Sequence, residues 1–370
     1  MISYGKQSIN QDDIDAVVSV LKSDYLTQGP NVEEFENDLA NYCNANYSKV
    51  VSNATAALHL AYLAIGLKEG DILWTTPNTF VATANAALYC GAKVDFIDID
   101  DKTYNISISS LKEKLKQAHK DNNLPKVVVP VHFAGQSCEM KEIWDLSREY
   151  GFQIIEDASH ALGGEYRGKK VGCCEYSSMA IFSFHPVKMI TTGEGGAIMT
   201  NDKALDSKIE LLRSHGITKE KTKFVNKNDD EWYYEQQILG FNYRLTDLQA
   251  ALGISQLKRL DSFVKKRREI AKNYFNNLNQ FLLPYQNIDS NSSWHLFVIQ
   301  SENRNKIFEK LKKNGINTQV HYIPVNLQPF YNRDNLKNSN NVYQNCLSLP
   351  IYADLTKREQ IKVIECLKND

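Results

Sequence analysis

The sequence predicts an α/β protein: a large, mostly parallel sheet domain over residues 1–245, then a small α+β C-terminal domain over residues 246–370. Three observations carry this. Short apolar runs alternate with helical patterns through the first 245 residues, the signature of strand–helix units in a parallel sheet. The pattern changes near Thr246, where one long helical stretch begins. The length, 370 residues, suits roughly two domains of ~150 residues each.

In chain order, Lys49 to Ser52 reads as a strand and Ala54 to Ile65 as a helix rich in Ala and Leu. Asp71 to Thr75 is a strand, and Phe80 to Tyr89 a helix. Further strands are expected at Lys93 to Ile99, Lys126 to His132, Phe152 to Ile155, Met179 to Phe184 and Ala197 to Thr200. Met140 to Tyr150 and Lys203 to His215 have amphipathic helical spacing. The charged stretch Lys219 to Glu235 is expected to be a surface loop or flap. Thr246 to Asn277 reads as nearly continuous helix, long enough to bridge two domains. A strand at Trp294 to Gln300, a helix at Arg304 to Asn314, a strand at Asn317 to Tyr322 and a last helix from Lys357 complete the small unit.

Composition narrows the function. The formal net charge is -1, which gives no electrostatic basis for binding nucleic acid or an anionic membrane. The densest basic run, Lys265 to Arg268, has helical spacing and is expected to be a solvated face. No run approaches ~18 consecutive apolar residues, so no membrane span is expected, and the start shows no secretory signal. Seven scattered cysteines form no Cys-x-x-Cys and no disulfide framework. No metal site is expected, and a reducing cytoplasm fits best.

Chemistry concentrates at the strand ends. Lys188 follows the apolar run Ala180 to Phe184 and precedes Thr191-Thr192-Gly193-Glu194-Gly195-Gly196. A lysine between an apolar strand and a glycine turn can lose its bulk water, which lowers its pKa and makes it a nucleophile toward carbonyls. Asp157 ends the strand Ile154-Ile155; a carboxylate there caps a turn or pairs with a heterocyclic nitrogen. His160 stands three residues on, where it abuts the same ring, orients Asp157 or is bonded to backbone in the core. Ser52-Asn53-Ala54-Thr55 joins a strand to a helix. The N–H groups there, with the Ala54 turn and the Thr55 hydroxyl, suit a phosphate at a helix N-terminus. Ser183 can add a hydroxyl, and Phe80, at the next strand-to-helix turn, can stack on an aromatic ring or fill core. A reactive lysine, a carboxylate for a pyridinium nitrogen and a phosphate cradle together point to pyridoxal 5'-phosphate. Gly163 to Lys169 imitates a P-loop, but Lys170 stands where Ser or Thr is required, so ATP binding is not expected.

These blocks, with Leu26-Thr27-Gln28-Gly29, Thr76-Pro77, Glu156 to Gly163, Phe182 to Lys188 and Gly240 to Leu245, resemble the DegT/DnrJ/EryC1/StrS sugar aminotransferases over essentially the whole chain. The resemblance implies the fold-type I transferase architecture, aspartate aminotransferase-like. It also implies Lys188 as catalytic residue and pyridoxal 5'-phosphate as cofactor, on Ala54, Thr55, Phe80, Asp157, His160, Ser183 and Lys188. By the same resemblance a homodimer is implied, with Asn242 reaching the phosphate of the other subunit. Tyr4, Asp24, Tyr25, Leu26, Thr27, Gln319, Val320, His321 and Tyr322 are implied to line a nucleotide-sugar site. Pro77 to Asn85, Arg213 to Gly216 and Gln319 to Tyr322 look like the pseudaminic acid branch of the family. That implies L-glutamate as amino donor and a UDP-linked 4-keto-6-deoxy amino sugar as acceptor. Alternatives are a bacillosamine, legionaminic acid or perosamine precursor as acceptor, a family sugar dehydratase, or a non-catalytic binding protein on this fold. The dehydratases carry histidine at the position of Lys188, which counts against that reading.

Overall fold

The computed structural model describes residues 1–226, 228, 230–332 and 336–368. Seven strands form the central sheet: β1 (Tyr47–Val51), β2 (Ile72–Thr75), β3 (Lys93–Phe96), β4 (Val127–Val129), β5 (Gln153–Asp157), β8 (Met179–Ser183) and β9 (Gly196–Thr200). The hairpin β6 (Glu165–Tyr166) and β7 (Lys169–Lys170) falls between β5 and β8. The sheet order is β1-β9-β8-β5-β4-β2-β3. β9 runs antiparallel to β8 and to β1, and the other neighbours are parallel. The sheet is therefore mostly parallel, and the carboxyl ends of β1, β2, β4, β5 and β8 point the same way. Ligands collect at that edge in such sheets.

Helices cover both faces. α3 (Ala54–Ala64), α4 (Ala82–Tyr89) and α7 (Lys203–Arg213) bury one face through Leu58, Leu60, Leu73 and Ile181. On the other, α5 (Ile108–Lys120) and α6 (Met140–Tyr150) pack through Leu111, Leu115 and Ile143 against Val128 and Ile154. The N-terminal helices α1 (Gln11–Leu21) and α2 (Pro30–Cys43) were not predicted. α1 starts with a capping box in which Asn10 accepts from the Asp13 N–H, and α2 packs Phe35 and Leu39 beside Phe182 and Phe184.

The long helix expected over Thr246 to Asn277 is two helices, α8 (Asp247–Leu257) and α9 (Leu260–Asn277). Neither Gly nor Pro marks the break at Lys258 and Arg259. The Arg259 guanidinium is held by Asp13 and by the Ser8 carbonyl at 3.0 Å, which turns the chain toward α1. The C-terminal unit is a hairpin-like pair, β13 (Phe297–Gln300) and β14 (Cys346–Leu349), with α10 (Arg304–Lys313), α11 (Lys337–Asn345) and α12 (Lys357–Lys368). The expected strand at Asn317 to Tyr322 is absent; only Gln319 bridges Ser348. The chain there leaves the sheet edge, and the Tyr322 N–H turns to the Asn78 side-chain oxygen at 3.4 Å.

The expected flap at 219–235 is anchored by two short strands, β10 (Ile217–Thr218) and β11 (Glu235–Gln236), while residues 227 and 229 lie outside the described part. β12 (Ser290–Asn291) pairs with β6. The basic run Lys265 to Arg268 is a solvated face only in part: Lys265 is exposed, but Arg267 turns inward. Arg267 is 2% exposed, and one of its terminal nitrogens donates to the carbonyls of Trp294, His295 and Ile351. Among the described residues no helix is long and apolar enough to cross a membrane.

Candidate active site

A cavity of about 990 Å³ lies at the carboxyl edge of the sheet, lined by the ends of β5 and β8, the start of α3, the loop before α4 and the segment 319–323. Of the predicted residues it gathers Tyr4, Ala54, Thr55, Phe80, Asp157, His160, Ser183, Lys188 and Gln319 to Tyr322.

The anion end is built by local sequence. Asn53 caps α3, its side chain accepting from the Ala56 N–H at 2.9 Å. That leaves the N–H groups of Ala54 and Thr55 without a partner among the described residues, and likewise the hydroxyls of Thr55 and Ser183. A helix start with free N–H groups carries roughly half a positive charge and favours phosphate. Gly196 keeps it in place: a Cβ there would stand 2.7 Å from the Ala54 nitrogen, so only glycine lets β9 run under the helix start.

Asp157 is the second feature. Its Oδ2 accepts from the Thr83 hydroxyl at 2.7 Å, and its Oδ1 from the Ser159 N–H at 3.2 Å. Since Thr83 donates to the carboxylate, the Thr79 hydroxyl, 2.8 Å away, donates to Thr83. No cation lies within ion-pair distance of Asp157 among the described residues. A buried carboxylate without a counter-charge is costly, and a protonated ring nitrogen would supply one.

Lys188 is partly buried in the turn after β8, and its ammonium has no hydrogen bond or ion pair among the described residues. Loss of water pushes its pKa down to about 8, with the negative charge of Asp157 pulling part of the way back. It therefore reaches its nucleophilic neutral form far more readily than a surface lysine.

His160 is buried and neutral. Its Nδ1 accepts from the Ala134 N–H at 3.3 Å, so its Nε2–H donates to the Tyr322 hydroxyl at 2.9 Å. Burial and the nearby Lys188 hold its pKa well below the usual imidazole value. It makes no bond to Asp157; of the orienting groups, Thr83 has that place. Phe80 is 61% exposed, an aromatic ring presented at the cavity instead of core.

Five predicted residues lie elsewhere in this chain. Asp24 to Thr27 do not line the cavity; Tyr25 faces a separate groove beside α8, and Thr27 bridges Thr246. Asn242 is exposed and paired to Ser214, at the sheet edge beside β1. Sequence reasoning missed Thr83, hidden in an alanine-rich helix start, and His295, which no motif marks. The free helix start, the buried unpaired carboxylate and the lysine of lowered pKa fit the phosphate, pyridinium nitrogen and aldehyde of pyridoxal 5'-phosphate.

Comparison with known proteins agrees. The DegT/DnrJ/EryC1/StrS aminotransferase family matches residues 7–368. The UDP-4-amino-4,6-dideoxy-N-acetyl-beta-L-altrosamine transaminase of Campylobacter jejuni is 44% identical over 97% of this chain and 94% of its own. The GDP-perosamine synthase of Caulobacter vibrioides is 32% identical over 99% and 97%. The solved structure of Helicobacter pylori PseC, an aminotransferase involved in the biosynthesis of pseudoaminic acid, superposes with a TM-score of 0.91 at 33% identity, covering 99% of this chain and 98% of that one. This chain belongs to the DegT/DnrJ/EryC1/StrS aminotransferase family.

Proposed function

We propose that this enzyme transfers an amino group from L-glutamate to the C4 ketone of UDP-2-acetamido-2,6-dideoxy-beta-L-arabino-hex-4-ulose. The product is UDP-4-amino-4,6-dideoxy-N-acetyl-beta-L-altrosamine, in pseudaminic acid biosynthesis in the cytoplasm. One observation carries the reaction class: a lysine of lowered pKa and a buried, cation-free carboxylate share one cavity with an open helix N-terminus. The sugar is supported by the 42% and 44% identity to two Campylobacter transaminases of that name.

The cofactor is pyridoxal 5'-phosphate, whose aldehyde accepts amines and whose ring draws electrons from the carbon beside them. The protein's residues do the rest. Ala54 and Thr55 N–H groups, with the Thr55 and Ser183 hydroxyls, hold the phosphate. Asp157 holds the proton on the ring nitrogen, and Thr83 and Ser159 hold Asp157. Phe80 and His160, which both line the cavity, would lie against the ring. Lys188 Nζ, once free, takes a proton from the donor carbon and delivers one to the sugar carbon. Tyr4 and Gln319 to Tyr322 hold the nucleotide sugar within the chain. Asp24 to Thr27 and Asn242, which lie off the cavity, act across the two-fold axis of a homodimer. A monomer in analytical ultracentrifugation of active enzyme would remove this shared-site part.

The test of the reaction is turnover of UDP-, dTDP- and GDP-4-keto sugars with glutamate, with NMR of the product at C4. The expected result is preference for the UDP-arabino sugar and a single C4 epimer, the one with the altrosamine configuration. Preference for GDP-4-keto-6-deoxymannose would replace it with a perosamine reading.

A further inference from the structure

Threonine hydroxyls at a helix start commonly cap it by accepting from its free N–H groups, yet α4 has no side-chain cap. The two threonines at its start turn elsewhere. The Thr79 and Thr83 hydroxyls meet each other at 2.8 Å, and Thr83 goes on to Asp157 Oδ2 at 2.7 Å. All three residues are buried, and both threonines border the cavity. The other acceptor in reach of the Thr83 hydroxyl is the Phe80 carbonyl. It lies farther off, at 3.3 Å, and already takes the Thr83 N–H. Thr83 is also fixed from behind, because the buried Tyr62 hydroxyl donates to its carbonyl at 3.1 Å.

Direction follows from counting protons. A hydroxyl carries one. Thr83 gives its own to the carboxylate, so Thr79 gives its proton to Thr83. The chain from Thr79 through Thr83 to Asp157 points one way, and each donation strengthens the next.

A buried carboxylate facing a ring nitrogen shares a proton with it, and that proton has two places to stand. On the nitrogen it leaves an ion pair. On the oxygen it leaves two neutral groups. Burial favours the neutral arrangement, because separated charges lose their water. A donor on the carboxylate favours the ionised form. Asp157 has two such donors, the Ser159 N–H at 3.2 Å on Oδ1 and the Thr83 hydroxyl at 2.7 Å on Oδ2. The shorter bond, backed by a second hydroxyl, gives Thr83 the larger share.

We propose that the Thr79–Thr83 hydroxyl chain decides where this proton stands: by donating to Asp157 it keeps the carboxylate ionised and the proton on the cofactor's ring nitrogen. Thr83 is a positioning residue that acts through Asp157, and Thr79 acts through Thr83. This rests on the fit of pyridoxal 5'-phosphate to the cavity described above.

The experiment loads the enzyme with pyridoxal 5'-phosphate carrying nitrogen-15 in the ring. It reads the ring nitrogen by NMR and, separately, kcat and KM for glutamate. Asp157→Asn enzyme, whose amide cannot hold the proton by charge, marks the unprotonated position. In Thr83→Val, which keeps the shape without the hydroxyl, the resonance should move about a quarter or more of the way from wild type to that position. Its kcat should fall about 30-fold, with KM changed less than about threefold. Thr83→Ser restores the hydroxyl and should stay within about threefold of wild type in kcat, with the resonance back in place. Thr79→Val should move the resonance the same way as Thr83→Val but less, and cost about threefold in kcat. Added to Asp157→Asn, Thr83→Val should cost less than about threefold more, since no carboxylate is left for it to act through. A resonance that Thr83→Val leaves in place, or the same loss repeated in the Asp157→Asn background, overturns the proposal and leaves the threonines as packing. If Thr83→Val does not fold, Thr83→Ala decides by the same two criteria. Wild type that takes up no pyridoxal 5'-phosphate would instead sink the cofactor fit on which this one rests.

Discussion

Glu156 and Asp157 are consecutive on β5 and equally buried, 5% exposed each, and the pleat sends them to opposite faces of the sheet. Glu156 is closed. Its Oε2 accepts from His132 Nε2 at 2.6 Å and its Oε1 from the Ser177 hydroxyl at 2.5 Å. His132 is fixed in turn, because its Nδ1 accepts from the Cys138 N–H at 3.1 Å, which puts the proton on Nε2. Asp157 is open: two neutral donors, no cation, and a cavity with Lys188 in front of it. Burial alone does not separate a structural carboxylate from a functional one. The separation lies in what the carboxylate faces: His132 and Ser177 close Glu156 into the protein, whereas Asp157 borders the cavity that holds Lys188. Removing the open one, or the lysine it faces, should cost rate, and removing the closed one should cost stability.

The largest effect is expected at Lys188, the group opposite the open carboxylate. Lys188→Ala removes both the nucleophile and the proton carrier, so turnover should fall by at least ~10⁴-fold while the melting temperature does not fall. A variant that kept a tenth of wild-type turnover would place the chemistry on another residue. Asp157→Asn comes next. The amide cannot hold a ring proton by charge, so the rate should fall by ~10³-fold with cofactor content retained. Glu156→Ala should do the reverse, costing about 3 kcal/mol because His132 and Ser177 are left unpaired in the core. Its turnover per folded molecule should stay within about threefold. If urea titration and kinetics gave the two carboxylate variants the same pattern, the open-and-closed distinction would fail.

The sequence made the open half of the site legible because its signals are local. A helix cap, a strand end and a glycine turn are each read within a few residues, and Asn53, Asp157 and Lys188 announce themselves that way. What was not legible depends on distance in the chain. Thr83 reaches Asp157 across 74 positions, and an isolated threonine at the start of an alanine-rich helix carries no mark of it. His295 and Arg267 owe their state to packing between α9 and the loop before β13, and the same Arg267 read from periodicity as a surface residue. The break between α8 and α9 has no helix-breaking residue, since Asp13 and Ser8, some 250 positions away, produce it. The segment 317–322 alternates like a strand but turns aside to wall the cavity, a tertiary preference that overrides the pattern.

The smallest expected effect links the open carboxylate to the lysine without any catalysis. In cofactor-free protein the Lys188 pKa is depressed from 10.5 to about 8. Below pH 8 the lysine is charged in both folded and unfolded chains, and the folded state bears the full cost of the buried charge. Between pH 8 and 10.5 the unfolded chain holds the proton and the folded one does not, so stability rises with pH through that window. Lys188→Met should therefore stabilise the cofactor-free protein by on the order of 2 kcal/mol at pH 7, with the gain shrinking toward zero by about pH 10.5. Asp157 holds the lysine pKa up, so in an Asp157→Asn background the folded pKa drops further and the window opens at lower pH. Denaturant midpoints at pH 7, 9 and 10 for the four chains measure this. A gain from Lys188→Met that is flat across the range, or the same window with and without the Asp157 charge, would mean that the two groups do not sense each other and that the open face of β5 is not one electrostatic unit.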